Sequence, residues 1–132
     1  MRKITIILLC SVLLGGFLYA QNRTNGPAVS FNRAEHNFGT IREEIGTIAT
    51  QFEFTNTGTT PILIQRVSAS CGCTTPTYPR EPILPGQTGK ISVEYHTTGR
   101  PGSFNRPVTV FTNVPDTVFT LHIRGNVTPR QQ

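Results

Sequence analysis

The chain has 132 residues, and its 12 lysines and arginines outnumber its seven acidic residues, for a formal net charge of +5 at neutral pH. Without the first 20 residues, which contain Arg2 and Lys3, ten basic residues remain against seven acidic ones, a net charge of +3. The basic residues are spread along the chain, and no cluster of five or more forms a patch for nucleic acid or an acidic membrane. We therefore expect no nucleic-acid partner.

Residues 1–20 have the layout of a secretory signal peptide. Arg2 and Lys3 supply a positive start, residues 4–18 are apolar and uncharged, and Ala20 offers a cleavage point. The apolar run is shorter than the roughly 20 residues of a membrane-spanning helix. We expect export to the periplasm or the cell exterior, with cleavage after Ala20 and no stable membrane insertion afterwards.

The first half of the mature chain predicts short β-strands. Residues 21–28 are polar with a Gly-Pro breaker and predict a flexible leader, and residues 29–31 begin the first strand. A short edge segment interrupted by glycine follows at residues 37–41, and alternation of apolar and polar residues predicts a strand over residues 47–55. The parity of the apolar residues then slips between Gln65 and Arg66, which indicates a β-bulge.

The second half continues the pattern. Four prolines between residues 76 and 85 exclude a long helix or a central strand there. Alternation predicts strands around residues 91–95, 104–112 and 119–123, with turns between them.

These patterns predict an all-β, immunoglobulin-like antiparallel sandwich of about seven strands over residues 29–128, followed by a tail at residues 129–132. An up-and-down barrel is the alternative. The predicted core consists of Phe31, Phe38, Phe52, Phe54, Ile64, Ile91, Val93, Tyr95, Val110, Phe119, Leu121 and Ile123.

Five short motifs follow one another along the chain: Asn37-Phe38-Gly39-Thr40-Ile41, Phe54-Thr55-Asn56-Thr57-Gly58, Ser70-Cys71-Gly72-Cys73-Thr74, Leu84-Pro85-Gly86 and Leu121-His122-Ile123-Arg124-Gly125. Over about residues 30–128 this order resembles a family of exported bacterial immunoglobulin-like domains of unknown function, abundant in Bacteroidetes. That family is similar to major-sperm-protein and ciliary Hydin-type domains. The resemblance implies a fold and an export route, and the Cys-Gly-Cys belongs to the family's pattern. It implies no catalytic residue.

Cys71 and Cys73 are the two cysteines expected to remain after cleavage, and export favours a disulfide between them. Such a bridge requires a local turn, which Gly72 is best able to supply. The closed ring is small, so the bridge stabilises little. A second hypothesis is a soft-metal site, completed in space by His36, His96 or His122. A third is thiol–disulfide exchange, although no helix start is present to lower a thiol pKa.

No catalytic constellation is visible in the sequence. Glu43 and Glu44 are adjacent, so on a strand they point to opposite faces and are interpreted as solvated loop charges. We therefore expect a non-enzymatic module with no cofactor, which binds a protein or a glycan through an edge strand or its loops. The alternative is a periplasmic metal-binding or thiol-redox protein that uses Cys71 and Cys73.

Overall fold

The computed structural model describes residues 25–131 as two packed four-stranded sheets. The strands are β1 (Val29–Phe31), β2 (Glu35–Arg42), β3 (Thr47–Asn56), β4 (Ile64–Ala69), β5 (Thr74–Thr77), β6 (Thr88–His96), β7 (Gly102–Thr112) and β8 (Val118–Thr128). One 3-10 turn, Glu43–Ile45, lies between β2 and β3. The predicted β-sandwich is confirmed, with eight strands in place of about seven.

The chain crosses between the two sheets at their edge strands. The first sheet has the order β1-β3-β6-β5 and the second has the order β2-β8-β7-β4. All pairings are antiparallel except β2 with β8, which is parallel. Because β4 ends the second sheet and β5 ends the first, the segment between them carries the chain across one side of the sandwich.

The core lies between the sheets and follows the predicted alternation. Nine of the twelve predicted core residues are buried, while Phe31, Phe38 and Phe119 are half-buried and pack against the buried cluster. Further buried apolar residues are Ile41, Ile62, Cys73, Phe104, Val108 and Val127. The ring of Tyr95 from the first sheet stacks on the ring of Phe104 from the second, with centroids 3.9 Å apart.

The predicted bulge is present in β4. Ile64 pairs with Thr112 and Arg66 pairs with Phe111, so Gln65 is the extra residue. A second irregularity interrupts β2 between Asn37 and Thr40, where Gly39 has a φ of 70°. This is the predicted glycine interruption, and it places an extra residue on the parallel edge strand.

The predicted signal peptide lies outside the described residues. The end of the predicted leader continues the pairing of β1, because Thr57 N–H donates to the carbonyl of Ala28 and Thr59 N–H donates to that of Gly26, each at 3.0 Å. No helix within residues 25–131 has the length and apolar character needed to span a membrane.

Candidate functional site

The Cys-Gly-Cys segment forms the crossover between the two sheets. It follows β4, the last strand of the second sheet, and precedes β5, the last strand of the first. Cys73 is fully buried in the core, whereas Cys71 is half-buried and packs against it. These cysteines are too close together in the sequence to join two sheets across the core, and the structure places them where the chain itself joins the sheets.

The crossover is a tight turn. Thr74 N–H donates to the carbonyl of Cys71 at 3.2 Å, and Cys73 N–H donates to the Cys71 sulfur at 3.0 Å. The two Cα atoms are 5.2 Å apart and the sulfur atoms are in bonding contact, a separation that suits a disulfide. His96 N–H on β6 donates to the carbonyl of Cys73 at 2.9 Å and fixes the turn to the first sheet.

The role predicted for Gly72 differs from the structure. Its backbone is not left-handed, and a Cβ built on it meets no atom within 4 Å. The turn therefore forms in a conformation that other residues can adopt. The hydrogen bonds around the cysteines hold it, and the special freedom of glycine is not required.

The three histidines considered as metal ligands lie apart from the cysteines or face away from them. His36 accepts a hydrogen bond from Arg33 at 2.7 Å on the opposite side of the sandwich, and burial, followed by the charge of Arg33, lowers the His36 pKa. His122 lies on the outer face of β8, and its ring nitrogen Nδ1 is 3.2 Å from the amide oxygen of Asn105. Within residues 25–131, no three His, Cys, Asp or Glu residues are grouped so that they could hold a metal ion.

An arginine faces the interior of the sandwich near the crossover. Along β7, the inward side carries Phe104, Arg106, Val108 and Val110, and Arg106 pairs with buried Ile123 of β8. The Nε atom of Arg106 is buried and has no hydrogen-bond partner. Sequence reasoning missed this residue, although its parity with Phe104 and Val108 was a usable signal.

Of the adjacent acidic residues, Glu44 is a solvated charge as predicted, whereas Glu43 makes specific backbone hydrogen bonds. Glu43 lies in the 3-10 turn, and its carboxylate accepts hydrogen bonds from the backbone N–H groups of Gly99 and Arg130, both at 3.0 Å. The bond from Arg130, followed by the bond from Gly99, lowers the Glu43 pKa. Glu44 instead forms an exposed ion pair with Arg42 at 3.6 Å. Glu43 therefore acts as a structural anchor.

The four strand edges differ in how open they are. Directly before β5, the carbonyl of Cys73 accepts the N–H of His96, so the next residues to bond to β6 are Thr75 and Thr77. The nitrogen of Pro76 therefore faces the free edge, where it has no hydrogen to donate. β1 has only three residues. On β2, the side chain of Asn37 accepts the N–H of Gly39 at the bulge. β4 keeps a regular ladder over four residues from Arg66 to Ala69.

Exposed leucines flank the start of β4. Ile62 and Ile83 form an isolated bridge through hydrogen bonds of 2.7 and 2.8 Å. Leu63 and Leu84, the residues that follow them, are 39% and 49% exposed. Two large exposed apolar side chains thus lie near the start of β4.

The sequence matches the model of the family described as "Protein of unknown function (DUF1573)" over residues 29–127. The chain belongs to this family. The family predicted from the five motifs is thereby confirmed, and no activity is attached to it. No curated protein matches the sequence.

Solved structures share the fold of this family member. A protein of unknown function from Porphyromonas gingivalis W83 is similar at a TM-score of 0.65 and 14% identity, over 78% of this chain and 47% of that one. A family 123 glycoside hydrolase from Clostridium perfringens is similar at a TM-score of 0.60 and 12% identity, over 80% and 28%. The secreted serine protease VesC from Vibrio cholerae is similar at a TM-score of 0.58 and 11% identity, over 76% and 23%. The DUF1573 chain thus spans less than half of each, and these likenesses show the fold alone.

Proposed function

We propose that this DUF1573 chain is a non-enzymatic binding module that takes up an extended segment of another protein along the free edge of β4. The observation that carries the proposal is the open four-residue ladder of β4 beside two exposed leucines. An added strand gains main-chain hydrogen bonds from such an edge, and side chains beside it supply specificity.

The other edges are less suited to strand addition. β5 presents proline nitrogen, β1 is too short to hold a segment in register, and the bulge of β2 has its amide occupied by Asn37. Such features commonly protect edges from unwanted pairing. β4 has a bulge at Gln65, but its ladder is regular beyond it.

The surface near β4 favours a segment with apolar residues. Leu63 and Leu84 offer anchor points at one end, since an exposed large apolar side chain gains most from being covered. Arg66, whose guanidinium lies 4.1 Å from the centre of the Phe111 ring, adds a cationic and aromatic surface on the outer face. We infer that the bound segment alternates apolar residues with residues that can lie beside the charge of Arg66.

Peptides selected from a random phage-displayed library against the full chain test the proposal. We expect bound peptides to slow amide hydrogen exchange at alternate residues between Arg66 and Ala69. Leu63→Ser and Leu84→Ser should each weaken peptide binding about tenfold, the effect of uncovering one partly buried apolar side chain. Ile45→Ser is the matched control, because Ile45 is 51% exposed but lies in the 3-10 turn between β2 and β3.

Two proline variants test the edge itself. The backbone N–H groups of successive strand residues point to opposite sides of the strand. One of the variants Val67→Pro and Ser68→Pro therefore removes a hydrogen bond to β7, and the other removes an N–H from the free edge only. The variant that melts like the wild type should lose peptide binding. The proposal would be overturned if bound peptides slowed amide exchange on another strand edge, or if Leu63→Ser and Ile45→Ser weakened peptide binding equally. A library that yields no binding peptide would overturn it as well.

A further inference from the structure

Arg106 is an inward-facing cation without a compensating partner. Its Nε–H is buried and donates to no acceptor, and the ion pairs found within residues 25–131 join Arg42 to Glu44 and Arg124 to Glu35. Burying a charged donor without an acceptor is costly, and such a group in a native structure calls for an explanation. An anion that forms near Arg106 would supply such a partner.

The register of the second sheet brings Arg106 to the cysteine crossover. The ladder between β4 and β7 ends where Ala69 pairs with Val108. Two residues further along each strand are Cys71 and Arg106, both on the inward side. β4 leaves the sheet here, and continuing its register places the start of the crossover to β5 opposite the part of β7 that holds Arg106.

The other charged groups on the surrounding strands face outward. Arg66 of β4 lies over the outer ring of Phe111. On β6, alternation with buried Ile91, Val93 and Tyr95 sends Lys90, Glu94 and His96 to the outer face, and β5 carries no charged residue. The ring of Tyr95 faces inward and stacks on Phe104. Among the residues of strands β4, β5, β6 and β7, Arg106 is thus the one cation on the inward side.

We propose that Cys71 and Cys73 form a thiol–disulfide exchange site in which Arg106 stabilises the thiolate of Cys71. This proposal uses residues separate from the peptide edge and does not depend on it. The substrate class is a thiol or dithiol that can reach the half-buried Cys71. Gly72 beside it is exposed, and a Cβ built on Gly72 meets no atom within 4 Å.

The exchange proceeds in two displacement steps. A substrate thiolate attacks the Cys71 sulfur, a mixed disulfide forms, and the Cys73 sulfur leaves with the electron pair of the broken S–S bond. A second substrate thiolate then attacks the substrate sulfur of the mixed disulfide and releases Cys71 as a thiolate beside Arg106. The substrate is oxidised to its disulfide while the cysteine pair gains two electrons. A leaving thiol of lowered pKa departs faster, and a stabilised reduced form makes the pair a stronger oxidant.

The thiol pKa of Cys71 tests the role of Arg106. In the full chain carrying Cys73→Ala, which leaves Cys71 as the one thiol of the crossover, ultraviolet absorbance of the thiolate gives this pKa directly. We expect a value below the roughly 8.5 of a free cysteine. Arg106→Gln should raise it by about one unit, a tenfold loss of thiolate at neutral pH. Arg124→Gln removes the same charge from an exposed ion pair on β8 and is the matched control.

Equilibration of the otherwise unmodified chain with reduced and oxidised glutathione tests the exchange. The wild type should be measurably reduced, and Arg106→Gln should lower the equilibrium constant for reduction about tenfold, while Arg106→Lys retains most of it. A Cys71 pKa of about 8.5 or higher, equal shifts from the two glutamine variants, or a pair that stays oxidised in excess reduced glutathione would each overturn the proposal. The glutathione measurement on the wild type tests the exchange proposal even if a variant does not fold.

Discussion

At the scale of single residues, buried Asn56 joins two of the family's motifs. Its side-chain amide donates to the carbonyls of Thr60 and Ile83, both at 2.8 Å, and its side-chain oxygen accepts the N–H of Gly58 at 3.0 Å. Its backbone carbonyl accepts the N–H of Gly86 at 2.9 Å. Asn56 is 1% exposed, so these bonds replace those it would make to water. The Asn-x-Gly and Leu-Pro-Gly motifs therefore serve one hydrogen-bond network.

Glu43 supports a pH prediction at the same scale. Its pKa in the folded chain is lower than its ordinary 4.5, because its charged form accepts the N–H groups of Arg130 and Gly99. The unfolded chain therefore binds the proton more readily, and the stability contributed by Glu43 is complete above about pH 4.5 and is lost as the pH falls below it. In Glu43→Gln, urea unfolding should depend less on pH between about 5 and 3 than in the wild type.

Glu44→Gln is the control for this measurement, because Glu44 is adjacent but makes only an exposed ion pair. It should retain the pH dependence of the wild type. If both variants flatten the curve equally, the hydrogen bonds to Gly99 and Arg130 do not carry the effect.

At the scale of elements, the cysteine crossover combines a small ring with a buried residue. Loop closure over three residues stabilises the fold by only about 1.6 kcal/mol. Reduction of the wild type should therefore lower the free energy of unfolding by no more than about 2 kcal/mol. Replacing both Cys71 and Cys73 with serine should cost a further ~1–3 kcal/mol, because the hydroxyl of Ser at position 73 is desolvated in the core.

Urea denaturation with and without reductant separates these two effects. Cys71→Ser alone, measured under reducing conditions, is the control and should resemble the reduced wild type, since Cys71 is only half-buried. A loss of about 4 kcal/mol or more on reduction alone would show that the bridge constrains the fold far beyond loop closure.

The elements were predictable where side chains alternate between water and the core. Parity alone predicted strands at residues 47–55, 91–95 and 119–123 and the bulge at Gln65. The structure has the bulge and has these strands at residues 47–56, 88–96 and 118–128. β5 was missed because Pro76 argues against a central strand, yet on an edge its missing N–H faces outward and breaks no ladder bond. The parallel pairing of β2 with β8 depends on contacts across nearly the whole chain, which local patterns do not record.

At the scale of the whole molecule, the connections from β1 to β2 and from β4 to β5 each place side chains at one side of the sandwich, where the two sheets end. On the side of β1 and β2, Arg33 donates to Thr50 and to the carbonyl of Gln51, at 2.9 and 2.8 Å. On the side of β4 and β5, the cysteines occupy the gap. The sequence identified Cys71 and Cys73 from residue type, whereas Arg106 became a partner for them only through the register of β4 with β7.

The packing of the two sheets predicts that the molecule unfolds as one unit. Phe104 of β7 is 6% exposed and stacks on Tyr95 across the interface, so Phe104→Ala should lower the free energy of unfolding by about 3–5 kcal/mol. Phe111→Ala is the matched control on the same strand, because that ring faces outward against Arg66 and its loss should cost about 1 kcal/mol. Urea unfolding followed by far-ultraviolet circular dichroism and by tyrosine fluorescence should give coincident midpoints in the wild type. Equal losses from the two variants, or separate transitions for the two probes, would show that the sheets are not coupled through this stack.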